Sequence, residues 1–145
     1  MVKVLSIDPG KYKCGLVLAE ISEQKVYKAI VLKSEILEDY VTDLNSVEDI
    51  SKIIIGNGTS SSEIKKKLDF LKKEIITFEE KNTTYRAKER YFELFPISGF
   101  KYIFPREVFI LNKNLDAISA LIILEDYCKI KFTLDQNLDF KTWLK

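Results

Sequence analysis

The chain has no histidine, two cysteines, three prolines, five glycines and one tryptophan in 145 residues. Without histidine, zinc fingers and histidine-based catalysis are excluded. Cys14 and Cys128 stand far apart in no ligand-like spacing, so both read as small buried hydrophobes of a reducing cytoplasm. No apolar run approaches the roughly 18 residues of a membrane span. The first residues already read as a strand, with no secretory leader. Charge of one sign is lacking too: 23 basic against 22 acidic residues leave a net charge of +1. Nucleic-acid binding would therefore need a local basic surface rather than a global field.

What is present is a single domain's worth of patterned sequence, 1–145, with no linker or repeat. Three strands are expected first: Val2 to Ile7, Gly15 to Ile21 and Lys25 to Leu32. Their short connections predict antiparallel pairing. Ile36, Leu37, Tyr40, Val41 and Leu44 recur at helical spacing. The run KIIIGNG reads as a buried strand ending in glycines, and Ser60 with Glu63 as a capping box opening a helix. EIITFEE is a further strand ending in two carboxylates, after which Asn82, Thr83 or Thr84 caps a helix to about Leu94. Pro96, Gly99 and Pro105 break the chain before a helix, Leu115 to Tyr127, that is apolar on nearly every side.

This order predicts an α/β fold: a mixed five-stranded sheet, three antiparallel strands then two parallel, with helices on both faces. The strands near residues 2, 52 and 75 are expected to be parallel neighbours. Residues 131–145 form a C-terminal extension of unassigned role. Its Trp143 and apolar neighbours suit either a homodimer contact or closure of the core, and the second is favoured.

Ligands of such sheets gather at the carboxyl ends of the strands. Asp8 ends one parallel strand, Glu79 and Glu80 end another, and Asp116 opens the apolar helix. Singly, each has a plain explanation as turn former, solvated strand end or helix-start acid. Together, three segments bring acids to one expected edge. Clustered carboxylates need compensation, and an oxygen-only donor set suits Mg²⁺ or Mn²⁺. Glu79 and Glu80 should point to opposite faces, so one of them is the expected ligand. Gly56 and Gly58 in GNGTSSSE can turn backbone N–H groups, with Asn57 and Thr59, toward a phosphate. Lys11 and Lys13 follow Asp8, while Lys81, Arg86, Lys88, Arg90 and Arg106 follow the acidic strand end. Tyr12, Tyr85 and Tyr91 lie among them, which suits a nucleic-acid strand.

Four stretches carry a resemblance. LSIDPGKYKCGLVLAE resembles the opening of the RuvC-like and YqgF-like nucleases, which have the ribonuclease H-like fold. IIIGNGTSSSEIKKKL is similar to their strand-turn-helix, and to the YqgF-like domain of the Tex transcription factors. EEKNTTYRAKERYFELFP and NLDAISALIILEDYC resemble their acidic strand end and final helix. The resemblance implies a Mg²⁺- or Mn²⁺-dependent endonuclease with Asp8, Glu80 and Asp116 catalytic and Glu79 a further metal-ligand candidate. Lys11, Asn57, Thr59, Lys81, Arg86 and Arg106 would contact nucleic acid, either branched, Holliday-junction-like DNA or precursor small-subunit ribosomal RNA. Glu79 and Lys81 replace the usual Asp and Arg, and Lys113 replaces the second acid of RuvC proper, which favours the YqgF-like branch. The competing implication is a catalytically inactive nucleic-acid-binding module like that of Tex.

Overall fold

The computed structural model describes residues 2–79, 82–97, 99, 105 and 115–138. Among them six strands form one sheet: β1 (Lys3–Asp8), β2 (Lys13–Glu20), β3 (Lys25–Lys33), β4 (Ile50–Gly56), β5 (Glu74–Phe78) and β6 (Thr133–Leu134). The helices are α1 (Leu37–Val47), α2 (Ser61–Leu68), α3 (Thr83–Leu94) and α4 (Asp116–Cys128). The sheet order is β5-β4-β1-β2-β3-β6. β1, β2 and β3 pair antiparallel, while β1, β4 and β5 run parallel. The mixed sheet and its parallel neighbours are therefore as expected.

Central parallel strands are covered on both faces, so they need apolar side chains at every position. β1 and β4 meet that demand with Val4, Leu5 and Ile7 beside Ile53, Ile54 and Ile55, all essentially inaccessible. Alternation divides these residues between two cores. Val4, Val17 and Ile54 pack with Ala87 of α3 and with Ile118 and Leu121 of α4. Leu5, Ile7, Leu16 and Ile55 pack with Val41 and Leu44 of α1 and Ile64 and Leu68 of α2. Each such side chain contributes about 1.5–3 kcal/mol on burial, so the β1–β4 seam anchors both layers. α4 lies between the sheet and α3, and Ala117 through Glu125 are all buried, which explains its nearly all-round apolar sequence.

Four local expectations are corrected. The sheet has six strands rather than five, because β6 in the C-terminal extension pairs parallel with Lys25 and Val26 of β3. That extension closes the core through Phe132 and Leu138, both buried, whereas Trp143 lies outside the described residues. The Ser60–Glu63 capping box does not form; instead the Ser61 hydroxyl donates to Gly58 O at 2.9 Å. Asn82 is the cap position of α3 with a left-handed φ of 57°, but its side chain makes no capping bond. Cys14 is buried as expected, while Cys128 is half-buried.

Candidate metal and nucleic-acid site

Asp8 closes β1 directly opposite Gly15 of β2. It shares the alternation of Val4, which packs toward α4, and Ser6, whose hydroxyl donates to Ala120 O of α4 at 2.7 Å. The start of α4 rests on β2 with no side chain between. A methyl group on Gly15 would stand 1.8 Å from the carbonyl oxygen of Asp116 and 2.7 Å from Ala117 N. Glycine is the one residue that permits this approach. It seats Asp116 against the register partner of Asp8.

Two further segments reach the same edge. The Asn57 N–H donates to Phe78 O at 2.9 Å, tying the β4–α2 turn to the end of β5. A methyl on Gly58 would lie 3.2 Å from Pro9 Cγ, so that turn also touches the one carrying Asp8. The carboxyl ends of β1, β4 and β5 and the start of α4 thus meet, where open α/β sheets bind ligands.

The β1–β2 turn is held firmly. A methyl on Gly10 would strike Lys13 O at 2.1 Å. Ser34, just past β3, donates its N–H to Tyr12 O and its hydroxyl to Gly10 O, both at 2.8 Å. Sequence reasoning did not single out Ser34, because a serine after a strand has no distinguishing spacing. On the other face of this turn, a cleft of about 250 Å³ opens between the turn, α1 and α2. Its rim mixes Lys11 and Lys67 with Glu38 and Glu63, so it presents no field of one sign.

Lys11, Asn57, Thr59 and Glu79 are exposed at this edge or in the segments that form it. Glu80, Lys81 and Arg106 lie outside the described residues. Among the described residues no group of three or more His, Cys, Asp or Glu side chains could hold a metal ion. Of the described acids at this edge, Asp8 and Asp116 are seated together, while Glu79 is exposed beyond the end of β5.

Arg86 stands elsewhere. Its guanidinium pairs bidentately with Asp126 at 2.6 and 2.7 Å. Asp126 is ten residues beyond Asp116, roughly 15 Å along α4. Arg90 likewise joins α3 to α4, donating to Glu125 through Nε (3.0 Å) and Nη2 (2.8 Å) and also to Phe132 O. The Phe132 N–H completes the cluster by donating to Glu125 at 2.8 Å. The clue in the sequence was Glu125, an acid interrupting an apolar helix. Tyr91 is no stacking ring either: it is buried against Phe92 and Phe95. Burial pushes the Cys128 thiol up, with Lys52 partly opposing, which leaves it a poor nucleophile.

A mixed sheet with a parallel β5-β4-β1 half, an antiparallel β1-β2-β3 half and helices on both faces defines an α/β protein with a ribonuclease H-like fold. Within that class the chain is similar to RuvC. The structure of T. thermophilus RuvC in complex with a Holliday junction substrate matches 89% of this chain and 96% of its own, with a TM-score of 0.53 and 11% sequence identity. At that identity the likeness is one of fold. No protein-family model matches the chain, and no curated protein matches it. No helix among the described residues is long and apolar enough to cross a membrane.

Proposed function

We propose that this protein is a divalent-metal-dependent endonuclease of the YqgF-like type, acting in the cytoplasm on branched DNA or structured precursor ribosomal RNA. The observation that carries this reading is the seat of Asp116 against Gly15, the register partner of Asp8. The donor chemistry fits a hard cation, since both groups offer carboxylate oxygens and the chain has no histidine. Asp8 and Asp116 would hold Mg²⁺ or Mn²⁺, with Glu80, or Glu79 in its stead, as the third ligand. Once bound, such an ion lowers the pKa of a water and steadies the leaving oxygen of a phosphodiester. Lys11, Asn57, Thr59, Lys81 and Arg106 would position the phosphate backbone. Arg86 is left out, because Asp126 already engages its guanidinium.

The test is cleavage of a four-way DNA junction and of a folded precursor RNA in Mg²⁺, Mn²⁺ or EDTA. Metal-dependent cutting is expected. Asp8→Asn and Asp116→Asn should each reduce it at least about 100-fold, since even residues behind metal ligands cost 10–100-fold. Cutting that persists in EDTA, or in Asp8→Asn, would refute the reading. A second reading, carried by the resemblance of IIIGNGTSSSEIKKKL to the Tex domain, is an inactive nucleic-acid-binding module. Binding without cleavage in either metal would select it.

A further inference from the structure

Three aromatic rings stand widely exposed among the described residues: Tyr12 (75%), Tyr85 (68%) and Phe70 (54%). Phe70 lies in the turn before β5, at the far end of that strand. Tyr12 lies at the edge that carries Asp8. Tyr12 is in the turn after β1, and Tyr85 is in the first turn of α3, which opens shortly after β5 ends. Along that edge the strands follow in the order β5, β4, β1, β2, β3. Tyr85 belongs to the β5 side, while the Tyr12 carbonyl is bonded to Ser34 at the end of β3. Tyr12 is therefore the exposed ring at the Asp8–Asp116 seat, whereas Tyr85 adjoins Arg86, which pairs with Asp126 roughly 15 Å along α4 from Asp116.

Tyr12 is exposed on a backbone that does not yield. Ser34 holds the turn at two points, and Gly10 fits against Lys13 with no room for a side chain. The Lys11 ammonium lies 5.4 Å from the centre of the Tyr12 ring. A rigidly based ring with a cation beside it offers a base a stacking surface and its phosphate a counter-charge. A continuous duplex cannot use such a surface, because its bases already stack on each other; unpaired bases can.

We infer that Tyr12, with Lys11, is a stacking platform for an unpaired nucleobase next to the Asp8–Asp116 seat. The protein thereby selects nucleic acid that is unpaired at the site over continuous duplex. This rests on the nucleic-acid reading above, but not on cleavage.

Binding of a fluorescein-labelled single strand and of a blunt hairpin duplex, each as DNA and as RNA, is measured by anisotropy in EDTA with the full chain. Single strands should bind at least about ten times more tightly than duplex. Tyr12→Ala should weaken single-strand binding about 5- to 150-fold, the range for losing one stacked base, and leave duplex binding unchanged. Tyr12→Phe should retain wild-type affinity. The inference is overturned if Tyr12→Ala weakens both forms equally or neither. Tyr12-dependent, strand-selective binding without cleavage in Mg²⁺ or Mn²⁺ would sink the nuclease reading and uphold this one. Metal-dependent cleavage of unbroken duplex, indifferent to Tyr12→Ala, would do the reverse.

Discussion

Gly15→Ala is the sharpest test of the architecture that brings Asp8 and Asp116 together. The added methyl would lie 1.8 Å from Asp116 O, 2.2 Å from its carbonyl carbon and 2.7 Å from Ala117 N. Close carbon–oxygen contacts settle at about 3.3–3.6 Å, so α4 and β2 must part by roughly 1.5 Å. Both obstacles are backbone, and no flexible side-chain end can move aside. Overpacking of this kind costs about 1–3 kcal/mol. Lifting α4 also strains the 2.7 Å bond from Ser6 to Ala120, adding about 0.5–1.5 kcal/mol. A loss near 3 kcal/mol is expected, a large share of a domain's usual 5–15 kcal/mol and about 10 °C in Tm. Urea unfolding followed by far-ultraviolet circular dichroism measures it. Gly58→Ala is the control: its methyl meets Pro9 Cγ at 3.2 Å, a neighbour that can give, and it should cost less than about 1 kcal/mol. Should Gly15→Ala unfold at the same urea concentration as Gly58→Ala, α4 does not rest on β2 as described, and the shared seat of the two acids goes with it.

Other consequences lie away from that edge. Glu125 is 8% exposed and holds both Arg90, itself 11% exposed, and the Phe132 N–H. Glu125→Ala should destabilise by about 2–4 kcal/mol in the same urea assay, because the Arg90 guanidinium loses its buried carboxylate and keeps only the half-exposed Glu93 at 3.1 Å. Unfolding within 1 kcal/mol of wild type would contradict this. At alkaline pH, Tyr27 is the group to watch. Its bond to Glu23, aided by desolvation and nearby carboxylates, pushes the hydroxyl up to about 12 from an ordinary value near 10. The neutral form is favoured on folding, so its contribution is full below about pH 10 and lost as pH rises through 12. Burial also raises Tyr40 and Tyr91, so near-ultraviolet titration should show late-ionising tyrosines of which Tyr27→Phe removes one; a titration unchanged by Tyr27→Phe would refute the assignment.

Much of the fold was legible because its signals are local. The apolar residues of β1, interrupted by Ser6, and the Ile53–Ile55 run of β4 announced core strands. The spacing of Leu37, Val41 and Leu44 announced the inner face of α1. Asp8 before Pro9 and Gly10 marked the end of a core strand at a turn, and the strand order then placed that end at the sheet's ligand-binding edge. β6 escaped notice because two residues have no period to read, and its pairing with β3 depends on Glu125 holding Phe132 from another part of the chain.

By itself the amino-acid order determined the succession of strands and helices, the two apolar layers and the place of Asp8, since each follows from side-chain periodicity and turn chemistry within a few residues. Tertiary structure alone decided which like residues do unlike things. Tyr12 and Tyr91 are both tyrosines among basic neighbours, yet one projects from a braced turn and the other fills the α3–α4 core. Arg86 and Lys11 are both cations near an expected site, yet Asp126 claims the first. Gly15 looked like any small strand residue until α4 came to lie on it. These outcomes depend on contacts between segments distant in the chain, whose distances no local pattern encodes.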